Sequence, residues 1–86
     1  MPEVRLPGVL DPATGGRRHV RVQGTTLGAA LADLCAQIPT LAVHLMDGGE
    51  LRPHVVCIHQ GITRRRLDHP VGADDEIAIL QAVSGG

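Results

Sequence analysis

The chain predicts an α+β fold: a mixed sheet of four to five strands with one main helix packed across one face. Three observations carry this. Alternating polar and apolar residues open the chain, a single stretch of helical periodicity follows Gly24, and β-branched strand patterns return from His54 to the end. With 86 residues there is room for one domain, and a domain of this size buries only about 60% of its unfolded surface. None of the residues is Phe, Tyr or Trp. The core must therefore be packed from Leu, Ile, Val and Ala, and a pocket that grips a base or sugar by aromatic stacking is excluded.

Glu3-Val4-Arg5-Leu6 alternates and forms the first strand, stopped or bent at Pro7-Gly8. Asp11-Pro12-Ala13-Thr14-Gly15-Gly16 is turn chemistry. From Arg17 to Gln23 a second strand puts Val20 and Val22 on one face and His19 and Arg21 on the other, completing a hairpin. Gly24 ends it. Thr25 or Thr26 then caps a helix in which Leu27, Ala30, Leu31, Leu34 and Ile38 share a stripe, and Pro39 stops that helix.

Leu41 to Met46 is too short for periodicity to separate a turn of helix from an extended cover, and Asp47-Gly48-Gly49-Glu50 is a loop. His54 to His59 gives a third strand and Gln60-Gly61 a tight turn into a short strand around Ile62-Thr63. Loops at 68–70 and 72–75 lead to the last strand, Glu76 to Ala82. Residues 1–82 make the domain. Residues 83–86 make a flexible Gly-Gly tail.

The later strands are apolar at both parities, although a sheet covered on one side needs only one apolar face. If Ile77, Ile79, Val55 and Cys57 point inward, Val56, Ile58, Ala78 and Leu80 form an apolar patch beside the root of the tail. A covering loop or the reverse parity would remove it.

Nine acids offset eight basic residues, all of them arginine, for a net charge of -1. A continuous basic face is missing, which argues against nucleic-acid binding. Arg64-Arg65-Arg66 is the one dense basic run. It is either a solvated face or a device that steers the protein to an acidic surface. Cys35 and Cys57 lack metal or redox spacing and read as buried apolar groups in a reducing compartment. Cys57 and His59, with His54 or His44, lack a supporting metal motif, and His19, His44 and His69 show no triad pattern. No segment has the ~20 apolar residues of a membrane span or the apolar run of a signal peptide, so a cytoplasmic protein is expected.

The end, Val83-Ser84-Gly85-Gly86, follows a strand directly. Two glycines contribute nothing to a core, and without a Cβ they form the thinnest arm a chain can offer to a narrow channel. A frayed end is the competing account.

Gly24-Thr25-Thr26-Leu27-Gly28 running into the helix, the polar-Gly turn after the third strand, and Asp75-Glu76 through Gly85-Gly86 together resemble the ThiS/MoaD sulfur carriers. Within them, Thr14-Gly15-Gly16 and Leu45-Met46-Asp47 look most like the CysO-type carriers of actinobacteria. The resemblance implies a β-grasp, ubiquitin-like domain that is a carrier and not an enzyme. By it, a ubiquitin-activating-type enzyme uses ATP to adenylate the Gly86 carboxylate, and a sulfur donor then leaves a C-terminal thiocarboxylate for a biosynthetic pathway.

Gly85, Ser84 and Val83 are then the arm, and Val56, Ile58, Ala78 and Leu80 the docking residues. The implied partners are the adenylating enzyme, a sulfur-acceptor synthase and a metalloprotease that releases product from the terminus, with no bound cofactor, metal, nucleic acid or membrane. Two other readings of the same terminus are a ubiquitin-like modifier conjugated through Gly86 and a plain interaction module. The chain has no lysine, so its own side chains offer no amine for linking copies together.

Overall fold

The computed structural model describes residues 1–81. One sheet of five strands runs in the order β2 (His19–Arg21), β1 (Glu3–Arg5), β7 (Glu76–Gln81), β5 (Val55–His59), β6 (Ile62–Arg64). β1 and β7 are parallel, and every other pair is antiparallel. The main helix, α2 (Leu27–Gln37), crosses the inner face.

Inward residues alternate with outward ones as a pleated strand requires. Val4, Val20, Val55, Cys57, Ile77 and Ile79 are buried against Leu27, Ala30, Leu31 and Leu34 of α2. The parity read from the sequence for the third and last strands therefore holds. Between β5 and β6, Gln60 and Gly61 both have positive φ, 56° and 76°. That is the conformation a two-residue hairpin needs to match the strand twist.

The motif from Gly24 to Gly28 is explained by close approach. A Cβ on Gly24, whose φ is 147°, would meet the backbone N of Ala30 at 2.7 Å, and one on Gly28 would meet the Leu67 carbonyl oxygen at 3.0 Å. Thr26 caps the helix, its hydroxyl accepting from the Ala29 N–H at 3.1 Å. The Leu27 and Gly28 N–H groups donate to the carbonyls of His69 and Leu67, both at 2.8 Å. The loop before β7 thereby satisfies amides that a helix start leaves without partners.

Three segments depart from the sequence reading, and a fourth that it left open is resolved. Gly8–Leu10, after the stop or bend read at Pro7-Gly8, is a 3-10 turn, and the stretch from Asp11 taken as a plain turn opens with a one-turn helix, α1 (Asp11–Thr14), closed by Gly15 at φ 68°. Pro12 at its start and a left-handed glycine at its end suffice for one turn. Pro39–Leu41 is another 3-10 turn, leading into α3 (Ala42–Leu45); the helical alternative for this segment is the one adopted. The expected loop at 47–50 is the tip of a hairpin joining β3 (Met46–Asp47) to β4 (Glu50–Leu51), turned by Gly48 and Gly49 at φ 60° and 84°.

The arginine run is not simply solvated. Arg65 donates to the carbonyls of Val55, Leu51 and Arg52 at 2.8, 3.0 and 3.2 Å, pinning the entry to β5.

Gly24→Ala should lower stability by about 2 kcal/mol, through strain at positive φ and the clash with α2. Ile79→Asp should abolish cooperative melting, because an unpaired buried carboxylate exceeds what so small a core can absorb. Thermal denaturation followed by circular dichroism checks both, and a normally melting Ile79→Asp variant would overturn the strand parity.

Candidate functional site

The outer face of the sheet divides into two halves. Over β2 and β1 lie charged residues. His19 Nδ1 sits 2.8 Å from Glu3 Oε1, and Arg5 Nε is 3.2 Å from Glu76 Oε1. Over β7 and β5 the face is apolar: Leu80 stands opposite Val56 and Ala78 opposite Ile58 in the antiparallel register. Leu80 is 45% exposed, while Val56, Ile58 and Ala78 are half-buried. The structure thus brings all four residues predicted for docking onto one face, with Leu80 the most prominent.

β7 lies in the middle of the sheet and delivers the chain to Gln81 beside Leu80. Val83, Ser84, Gly85 and Gly86, the arm predicted from the sequence, lie outside the described residues. Two grooves flank this half of the face. One, of about 380 Å³, runs along Pro7 and Gly8 beside Leu80, with Arg5 and Arg18 at its wall. The other, of about 400 Å³, lies at the start of β7 over Ile58 and Ala78.

Burial disfavours the thiolate form of both cysteines. Burial pushes the Cys57 thiol up to about 11, with Arg65 only partly offsetting it, and burial also raises that of half-buried Cys35. Both are therefore protonated near neutral pH and poor nucleophiles. The sequence reading of Cys57 as buried is met, whereas Cys35 is only partly covered.

A constellation the sequence did not reveal sits at the far end of β7. His59, 3% exposed, has Nε2 at 2.7 Å from Asp75 Oδ2 and Nδ1 at 3.1 Å from His69 Nε2. The same Asp75 oxygen accepts the Gly72 N–H at 2.8 Å. Both His59 nitrogens are thus engaged, which leaves the Cys57–His59 pair unsuited to a metal. Among the described residues the grouping with ligand atoms close enough for an ion is Glu3, His19 and Glu76, and each is already engaged, Glu3 with His19 and Glu76 with Arg5. No spacing could have exposed His59, His69 and Asp75 in advance, since the pairing of β5 with β7 sets His59 beside Asp75 and the loop bonded to the start of α2 brings in His69.

The His59 hydrogen bond, then that from Gly72, holds the Asp75 carboxyl below its ordinary value. Burial, then the charges of Arg64 and His59, lower His69. For both groups the unfolded chain binds protons more readily than the folded one, so each contributes stability that is complete above its unfolded value and is lost as pH falls through its folded value. The melting temperature should therefore fall as pH drops below the ordinary histidine value of about 6.5 and His69 charges, and again as Asp75 protonates in stronger acid. His69→Gln should flatten the first step and leave the second; an unchanged profile would contradict this.

A mixed sheet gripping one helix, with the last strand at its centre, defines a ubiquitin-like β-grasp domain. Comparison with known proteins places it further: residues 4–86 match the ThiS family, and the chain belongs to that family. The sulfur carrier protein CysO of Mycobacterium tuberculosis is 35% identical over 89 residues, covering 96% of each chain. Its crystal structure aligns with TM-score 0.86 at 32% identity, covering 96% of this chain and 100% of that one. SAMP1 from Haloferax volcanii aligns with TM-score 0.80 at 34% identity over 99% and 98% of the two chains. A chain of the Amycolatopsis orientalis BexX/CysO complex aligns fully with TM-score 0.90 at 24% identity, a likeness of fold. Among the described residues, no helix is long and apolar enough to cross a membrane.

Proposed function

We propose that the protein works through the carboxylate of Gly86, which an adenylating enzyme of the ubiquitin-activating type converts to a thiocarboxylate. The chain is a sulfur carrier of the ThiS family, a substrate of its partners and not a catalyst. The observation that carries the reading is the family match over residues 4–86, which takes in the Gly-Gly end of the sequence.

The chemistry has two steps. The carboxylate attacks the α-phosphorus of ATP and expels pyrophosphate, giving an acyl adenylate. A sulfide sulfur then attacks the carbonyl carbon and AMP leaves, so a C–S bond replaces the C–O bond to phosphate. The product is an anionic sulfur nucleophile that a partner must shield from side reactions.

Val56, Ile58, Ala78 and Leu80 dock the partner, and 83–86 is the arm that enters its active centre. A sulfur-acceptor synthase then uses the same face, and a metalloprotease frees the product from the terminus. The carrier reading is preferred to conjugation onto other proteins because the ThiS family match and the CysO relationship both point to sulfur transfer.

Incubation with ATP, the cognate adenylating enzyme and sulfide should raise the intact mass by the exchange of one oxygen for sulfur, located to Gly86 by fragmentation. No such gain would contradict the reading. Leu80→Asp should weaken adenylating-enzyme binding by about tenfold or more with a nearly unchanged melting temperature. A large fall in melting temperature would show that Leu80 is core.

A further inference from the structure

Two ladders support β7, and they end at different places. Toward β5 the register runs to Gln81, but toward β1 it runs only from Glu3 opposite Glu76 to Arg5 opposite Ala78. The Glu3 N–H donates to the Asp75 carbonyl at 3.0 Å, so the odd-numbered residues of β7 turn their backbone groups toward β1. The next bonds of that ladder would join Pro7 to Ile79 and Gln81. Pro7 has no N–H to give, and its carbonyl already accepts the Leu10 N–H at 3.1 Å. Beyond Pro7 the chain turns off through the 3-10 turn at Gly8–Leu10. On the other side, the Val55 N–H opposite Gln81 donates to the Arg52 carbonyl at 3.0 Å, and the Val55 carbonyl accepts from Arg65 at 2.8 Å. Among the described residues, the backbone N–H and C=O of Gln81 therefore have no partner in either neighbouring strand. The groove of about 380 Å³ along Pro7, Gly8 and Leu80 lies on the side they face.

We propose that this opening takes an extended segment of the adenylating enzyme, which adds as a short strand beside the end of β7, along Pro7 and Gly8. The inference rests on the docking reading given above and deepens it by defining the kind of segment that binds. An unpaired strand edge is a template for another strand. Strand addition draws its affinity from main-chain hydrogen bonds and its selectivity from the side-chain surfaces alongside. Charge has little part here, because Arg5 and Arg18 in the groove wall are held by Glu76 and Asp11. What remains is the apolar surface of Pro7, Ala78 and Leu80. The segment that fits has a free C=O and N–H at the position paired with Gln81, and a small or apolar side chain toward Leu80. Its location identifies the partner that supplies it. Gly86 is five residues beyond Gln81, a reach of at most about 18 Å. An enzyme that receives Gly86 in its active centre therefore sets part of its own surface against Gln81. Ala78 and Leu80 line the groove and belong to the apolar strip, so the two surfaces are continuous.

The test combines amide hydrogen exchange, read by NMR, with adenylating-enzyme binding for the whole chain as native protein, Gln81→Pro, Gln81→Ala and Leu80→Asp. In the free protein the Gln81 amide should exchange fast and the Leu80 amide, which faces β5, slowly. In the complex the Gln81 amide should slow at least tenfold. Gln81→Pro removes the N–H at an edge position, where proline is tolerated. It should weaken binding about tenfold at an unchanged melting temperature, because it leaves an acceptor of the enzyme without its donor. Gln81→Ala should bind as the native protein does. A Gln81 amide that exchanges as fast in the complex as in the free protein, or a Gln81→Pro variant that binds like Gln81→Ala, overturns the strand addition. If Leu80→Asp still weakens binding in that case, the docking face stands. If Leu80→Asp binds normally while both Gln81 readouts hold, the strand addition stands and the apolar strip is wrong. Slow exchange at Gln81 in the free protein would show the opening filled by the chain itself and would also overturn the inference. Should Gln81→Pro melt early, the exchange at Gln81 in the native complex decides alone.

Discussion

Strand parity in β7 is the constraint on which the rest of the structure depends. Successive side chains of a strand leave on opposite faces, so fixing Ile77 and Ile79 in the core leaves Glu76, Ala78 and Leu80 no choice but the outer face. A slip of one residue would bury Leu80 and expose both isoleucines. Because β7 pairs with β1 on one side and β5 on the other, the register is set twice, and the root of the 82–86 segment is held by the most constrained strand of the sheet. A carrier that works through its end needs that end to leave from a rigid place.

The remainder of the fold supports this strand with few resources. Without aromatic residues the core is a close fit of Leu, Ile, Val and Ala between one sheet face and one helix. Gly24 lets the chain entering α2 lie against Ala29 and Ala30 at a distance no side chain allows, and Gly28 lets α2 close tightly on Leu67. Polar links secure the rest: Asp33 accepts from the Gln23 N–H and from Gln37 Nε2, Arg65 ties down the carbonyls before β5, and His59 with Asp75 and His69 closes the start of β7. These contacts cluster on the inner side and at the ends of the sheet. Among the described residues, no element covers the outer face over β7 and β5, as an intermolecular contact there would require.

Much of this was legible in the sequence, for identifiable reasons. The helix has a capping threonine, an apolar stripe and a terminating proline, all local signals, and it appears over the expected residues. The double apolar parity of Val55–Ile58 and Ile77–Leu80 signalled a sheet with two employed faces, and the four predicted docking residues do share one face. The one-turn helix at Asp11–Thr14 and the two-residue strands around Gly48-Gly49 are shorter than any periodicity. They arise from turn chemistry that sequence patterns show only as a loop. The His59–Asp75–His69 cluster and the carbonyl contacts of Arg65 depend on strand order, which spacing along the chain does not encode. The Arg5–Glu76 pair is likewise a product of topology, since β1 brings Arg5 beside Glu76 from a remote part of the chain.

The central claim is that partners meet this protein on the outer face of β7 and β5, opposite the helix. Site-specific photocrosslinking to the adenylating enzyme tests it most directly, with the reactive group placed at Leu80 in one variant and at the exposed Ala36 on the far side of α2 in another. Crosslinking from Leu80, with Ala36 silent, is the predicted result. Crosslinking from Ala36, with Leu80 silent, would place the partner on the helix and contradict the account.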